Sequence, residues 1–137
     1  MVRRISLACA SLALVAAPSA LSAASTSYRV SATVATHCKV QHRFDSYGQK
    51  VADGISLGEI RELCNAAHGY ELVVRYTPGS LLGTTIRAGN DQVVLNGSGE
   101  AILSRSSGPR ILQRTVTATP GEAGFDADRL EFQLVTV

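Results

Sequence analysis

Apolar residues recur at every second position in three well-separated stretches of this chain, and that period suits a β-strand. Tyr28, Val30, Ala32, Val34, Cys38 and Val40 fall on one parity, with Arg29, Ser31, Thr33, His37 and Lys39 on the other. Tyr70, Leu72, Val74 and Tyr76 alternate with Glu71 and Arg75. Leu130, Phe132 and Leu134 alternate with Glu131 and Gln133. Side chains point to opposite faces along a strand, so each stretch presents one apolar face and one wet face.

Between these stretches the chain is punctuated by turn residues. Gln41 to Gly54 is polar and turn-rich, with Phe44 and Tyr47 as plugs into the core. Ile55 to Cys64 reads as a strand interrupted near Gly58, where a bulge would restore the apolar face. A short helix over Glu59–Cys64 is the alternative. Asn65 to Gly69 and Thr77-Pro78-Gly79-Ser80 are turns. Leu81 to Arg87 is a short strand candidate, followed by a turn at Gly89-Asn90-Asp91. Val93-Val94-Leu95 and Ala101-Ile102-Leu103, separated by Asn96-Gly97-Ser98-Gly99, read as a hairpin. Ile111 to Thr119 is rich in β-branched residues and is stopped by Pro120-Gly121. About seven short strands with frequent turns and no long helix predict an antiparallel β-sandwich, with a small barrel as the alternative.

The chain opens on Arg3 and Arg4, an apolar stretch from Ile5 to Ala17, and small residues through Ala24. That layout is a secretory signal peptide over residues 1–24. The apolar stretch is shorter than the ~20 residues of a membrane helix, so no span is expected after cleavage. Cys9 lies too close to Arg4 for a lipoprotein signal. Residues 25–137 then form a single exported domain, in the periplasm in transit and at the cell surface or secreted. Lys and Arg number 13 against 11 Asp and Glu, and loss of Arg3 and Arg4 balances them. Near-neutral charge permits dense self-association. With no basic run and few aromatics, nothing points to nucleic acid.

Cys38 and Cys64 remain after the signal, an even pair in an exported chain, and a disulfide is the default expectation. No paired histidines lie near them, as a zinc site would require. His37, His42 and His68 lack metal-binding spacing, and no G-x-S-x-G occurs. The expectation is therefore no enzyme, no catalytic residue, no metal and no cofactor. Asp126, Asp128 and Glu131, beside Arg129, read as a solvated hairpin rather than a carboxylate pair for glycoside chemistry. Asn96-Gly97-Ser98 matches a glycosylation acceptor pattern but reads more simply as a tight turn.

The stretches YRVSATVATHCKV, LGEIRELCNAAHGYELVVRY and DRLEFQLVTV, in this order behind an export signal, resemble subunits of chaperone–usher pili. The closest resemblance is to the spore coat protein U-like subunits of the archaic class. It implies an immunoglobulin-like antiparallel sandwich lacking its final strand, completed by a neighbour's N-terminal strand. On that reading Tyr28, Val30, Ala32 and Val34 form the donor strand, and Cys38 and Cys64 join the first two strands. Leu130, Phe132, Leu134 and Val137 form the groove edge met first by a periplasmic chaperone. The implied partners are like subunits in a homopolymer, that chaperone and an outer-membrane usher. The chain departs from many pilins at Thr136, where they carry an aromatic residue, and in its short arm before Cys38. The other readings are a self-contained secreted sandwich that binds a ligand or partner protein, such as an inhibitor, and a small hydrolase using His42 or His68.

Overall fold

A computed structural model describes residues 27–126 and 130–137. The signal-peptide reading of residues 1–24 lies outside the described residues, as do Asp128 and Arg129. The framework groups into two units, residues 1–33 and 34–137. In the first, residues 27–33 have no regular secondary structure and exposed side chains.

The second unit is all-β. Its strands are β1 (Cys38–Arg43), β2 (Lys50–Val51), β3 (Gly54–Cys64), β4 (Tyr70–Tyr76), β5 (Thr85–Ala88), β6 (Asp91–Val94), β7 (Glu100–Ser106), β8 (Arg110–Thr119) and β9 (Leu130–Thr136). They form two antiparallel sheets. The larger runs β1-β3-β8-β5-β6, with β2 also on β3, and the smaller runs β7-β4-β9. Leu57 and Ile60 of β3, Ile86 of β5 and Val116 of β8 supply one side of the core. Leu72 and Val74 of β4, Leu103 of β7 and Phe132 of β9 belong to the same core. The antiparallel all-β architecture expected from the alternation is the one observed. Tyr70, Leu72, Val74 and Tyr76 are all buried, as their shared parity requires.

The break in alternation near Gly58 is a bulge and not a helix. Pairing of β3 with β8 skips a residue between Ser56 and Gly58. Leu57 and Ile60 lie on opposite parities yet both are buried, and the extra residue makes this possible. Gly58 has φ +86°, and a Cβ there would stand 2.0 Å from the Arg43 carbonyl oxygen.

Three expectations are corrected. The strand read over Tyr28–Val40 begins only at Cys38 and runs on to Arg43. Cys38 pairs with Cys64, the last residue of β3, so no ladder remains for residues before it. The hairpin read over Val93–Leu103 does not form. β6 pairs with β5 and β7 pairs with β4, in different sheets. Leu95 N–H continues onto Thr84 O at 2.8 Å, and Tyr76 N–H then takes Gly99 O at 2.8 Å, so the chain crosses from one sheet to the other. The tight hairpin is instead β5–β6, closing with Ala88 opposite Asp91. The strand read from Leu81 starts at Thr85, because Leu81 sits in a turn at φ 52° with Thr84 N–H bonded to its carbonyl.

Candidate strand-acceptor seam

Among the described residues β9 pairs only with β4 and leaves its other edge open. Val137 N–H donates to Gly69 O at 3.3 Å, one step beyond the Thr136–Tyr70 pair. Backbone groups alternate in direction along a strand. Those of Glu131, Gln133 and Val135 therefore face β4, and those of Leu130, Phe132, Leu134 and Thr136 face the open edge. The same strand turns Phe132 into the core, with Leu130 and Leu134 half-buried against it.

β1 is the end strand of the other sheet and also has one open edge among the described residues. Its half-buried face carries Cys38, Val40 and His42. β1 and β9 approach each other without pairing, some of their Cα atoms within 8 Å. Leu134 packs in the cluster around Cys38, Cys64 and Tyr70 at one end of this seam. At the other end the His42 ring stands edge-on to Phe132, centroids 5.2 Å apart, and lies 4.2 Å from Phe44. His42 Nε2 is 2.5 Å from Leu57 O, which anchors the ring. The seam thus has an apolar floor, two free backbone edges and an aromatic stop.

Cys38 and Cys64 form the expected disulfide, their Cα atoms 4.1 Å apart at directly opposed positions of β1 and β3. Beside it Asn65 holds the chain leading into β1. Its Oδ1 accepts from His37 N–H at 2.5 Å, its N–H donates to His37 O at 3.2 Å, and its Nδ2 donates to Ala35 O at 2.9 Å. Among the described residues, those from 27 to 34 have no such ties. Tyr28, Val30, Ala32 and Val34 lie in no strand and are exposed, so sequence and structure together leave an apolar arm without a sheet. The proposed edge residues Leu130, Phe132 and Leu134 are brought together on β9, whereas the Val137 side chain is exposed.

The sequence reading missed a buried polar network. Glu62 lies on the inward parity of β3 between Ile60 and Cys64, and Arg114 on the inward parity of β8 between Leu112 and Val116. Arg114 Nε donates to Glu62 Oε1 at 2.9 Å and its Nη2 bonds the same oxygen. Tyr70 O–H, from the opposite sheet, donates to Glu62 Oε2 at 2.8 Å. Arg114 also donates to Ser104 Oγ and Asp91 Oδ2, so the network joins both sheets. Burial, followed by the neighbouring Glu62 carboxylate, pushes the Tyr70 hydroxyl up to about 12. Inward parity was the signal available for Glu62 and Arg114. Glu62 and Tyr70 of this network are buried in the packed core, and Asp91 at its edge is half exposed. His68 lines an open surface pocket together with Glu71, whose carboxylate is held by Arg105 Nε at 2.6 Å, and no His, Cys, Asp or Glu cluster able to hold a metal occurs among the described residues. Comparison of the chain with protein-family models, characterised proteins and solved structures finds no match.

Proposed function

We propose that this protein is a structural subunit of a surface pilus, assembled by donor-strand complementation. One observation carries the reading: an open β9 edge beside β1, over apolar side chains, in a chain that also has an exposed alternating arm without a sheet. The arm from Tyr28 to Val34 would extend about 23 Å at the usual strand rise, the same span as the seven residues of β9. Its apolar parity would face the seam floor, and its backbone would satisfy the free groups of β9. The sandwich would then be immunoglobulin-like with its last strand supplied by a neighbour. A periplasmic chaperone would hold the same edge before assembly, an outer-membrane usher would pass the subunit to the surface, and no catalysis would be involved.

A second reading is favoured by the His42–Phe132 contact, which draws β1 and β9 together and leaves Phe132 only 5% exposed. A seam closed in this way suits a self-contained secreted sandwich that binds a ligand or partner protein.

Export of residues 25–137 with and without residues 25–36 separates the two. The pilus reading expects multimers that survive cold detergent from the longer chain and none from the shorter. A synthetic peptide of residues 27–36 should then bind the shorter chain. A longer chain that stays monomeric at high concentration, and a shorter one that ignores the peptide, would refute it.

A further inference from the structure

Asn96-Gly97 lies in the crossover between β6 and β7, and neither the fold nor the proposed assembly uses its chemistry. Three features meet there. The Asn96 side-chain oxygen Oδ1 accepts two hydrogen bonds, from Tyr76 O–H at 3.2 Å and from Ser98 N–H at 3.0 Å. Gly97 N–H has no hydrogen-bond partner among the described residues, while Gly97 O is held by Gly79 N–H at 2.8 Å. Asn96 is exposed to water, and Gly97 at φ +81° has no Cβ to shield its nitrogen.

We infer that Asn96-Gly97 is a self-modification site at which the native protein converts its own asparagine to aspartate and isoaspartate. Gly97 N loses its proton to water or hydroxide and attacks Asn96 Cγ. The C=O π pair moves onto Oδ1, the atom on which both donors converge, so the oxyanion forms where it is already hydrogen-bonded. Collapse of this intermediate expels the side-chain nitrogen, protonated by solvent, as ammonia and leaves a five-membered succinimide. Water then opens either imide carbonyl, giving aspartate or isoaspartate. Water is the one co-reactant, and nothing is oxidised or reduced. Asp53-Gly54 provides a contrast. Gly54 is paired into the β2–β3 ladder, and a Cβ there would meet Ala118 O at 2.2 Å, so that backbone is enclosed. Asn65 and Asn90 are followed by Ala66 and Asp91, whose side chains crowd the attacking nitrogen. Each conversion at Asn96 adds one negative charge to an exported domain otherwise near balance. Isoaspartate also adds a backbone methylene to the crossover between the sheets.

The test incubates the folded protein at neutral to mildly alkaline pH. It follows intact mass, peptide maps and isoaspartate labelling by an isoaspartyl methyltransferase, beside the same chain unfolded in urea. Conversion confined to Asn96 is expected in the native protein. Gly97→Ala should abolish it. Tyr76→Phe, with unchanged melting, should slow it by about 2–10-fold, the worth of one ordinary hydrogen bond. Absence of native conversion over a period in which the unfolded chain converts would overturn the inference. So would a faster rate in Tyr76→Phe, since the tyrosine would then be restraining Asn96 rather than activating it.

Discussion

Replacing Arg114 by Met should be among the most damaging single changes in the sandwich. The Glu62 side chain is 2% exposed and that of Arg114 is 9% exposed, so neither can recover its lost partner from water. Arg114→Met fills similar space but leaves the Glu62 carboxylate with Tyr70 O–H alone. Breaking a buried pair from one side costs about 3–5 kcal/mol. The Asp91 bond contributes little to that figure, because Asp91 is half exposed and re-solvates. With a typical urea dependence of about 1–3 kcal/mol per molar, the unfolding midpoint should fall by roughly 2 M. Glu62→Leu combined with Arg114→Met should recover part of the loss, since two apolar groups leave no buried charge. The Tyr70 hydroxyl then lacks its acceptor and Ser104 Oγ and Ala88 O lose the Arg114 donor, at about 1 kcal/mol each. Urea titrations of Arg114→Met, Glu62→Leu and the double variant form a complete cycle, with a coupling of at least about 3 kcal/mol expected. A single-variant cost below about 1 kcal/mol, or a double variant as unstable as the sum of the singles, would refute the argument.

Two further outcomes follow from neighbouring features. The Tyr70 hydroxyl ionises near 10 when unfolded and at about 12 when folded. The unfolded chain therefore gives up this proton first, and the stability it confers, complete below pH 10, should be lost as pH rises toward 12. Tyr70→Phe should remove that part of the alkaline slope in denaturation curves taken across the window; an unchanged slope would contradict the assignment. Gly58→Ala should lower stability by about 1–3 kcal/mol, because a Cβ at φ +86° runs into the Arg43 carbonyl. A thermal melt matching wild type would show that the bulge relaxes freely.

What the sequence disclosed depended on whether a local period carried the information. Tyr70, Leu72, Val74 and Tyr76 announced their buried face, because a strand's two faces follow from parity alone. Gly58 announced the bulge by interrupting such a pattern. The extent of β1 was hidden, because its start is set by where β3 stops, and that is a property of the partner strand. The false hairpin at Asn96–Gly99 had good turn chemistry. Long-range bonds to Thr84, Gly79 and Tyr76 overrode it and carried the chain across the sandwich. Glu62 and Arg114 carry no local motif that links them, although they sit on inward parities of their strands, 52 positions apart in sequence. Only the register of β3 against β8 brings them together.

The position of the disulfide within β1 has a mechanical consequence. Tension arriving through residue 37 meets the sheet at Cys38, the first residue of its strand, where a covalent bond leads directly to Cys64. The load passes into β3 without running along β1, so the hydrogen bonds from Lys39 to Arg43 are not sheared one after another. β3 lies between β1 and β8 and is hydrogen-bonded on both sides, which makes it a broad anchor for a pulling force. Asn65, gripping Ala35 and His37 just ahead of the bridge, would yield first and act as a weak fuse in front of a covalent stop.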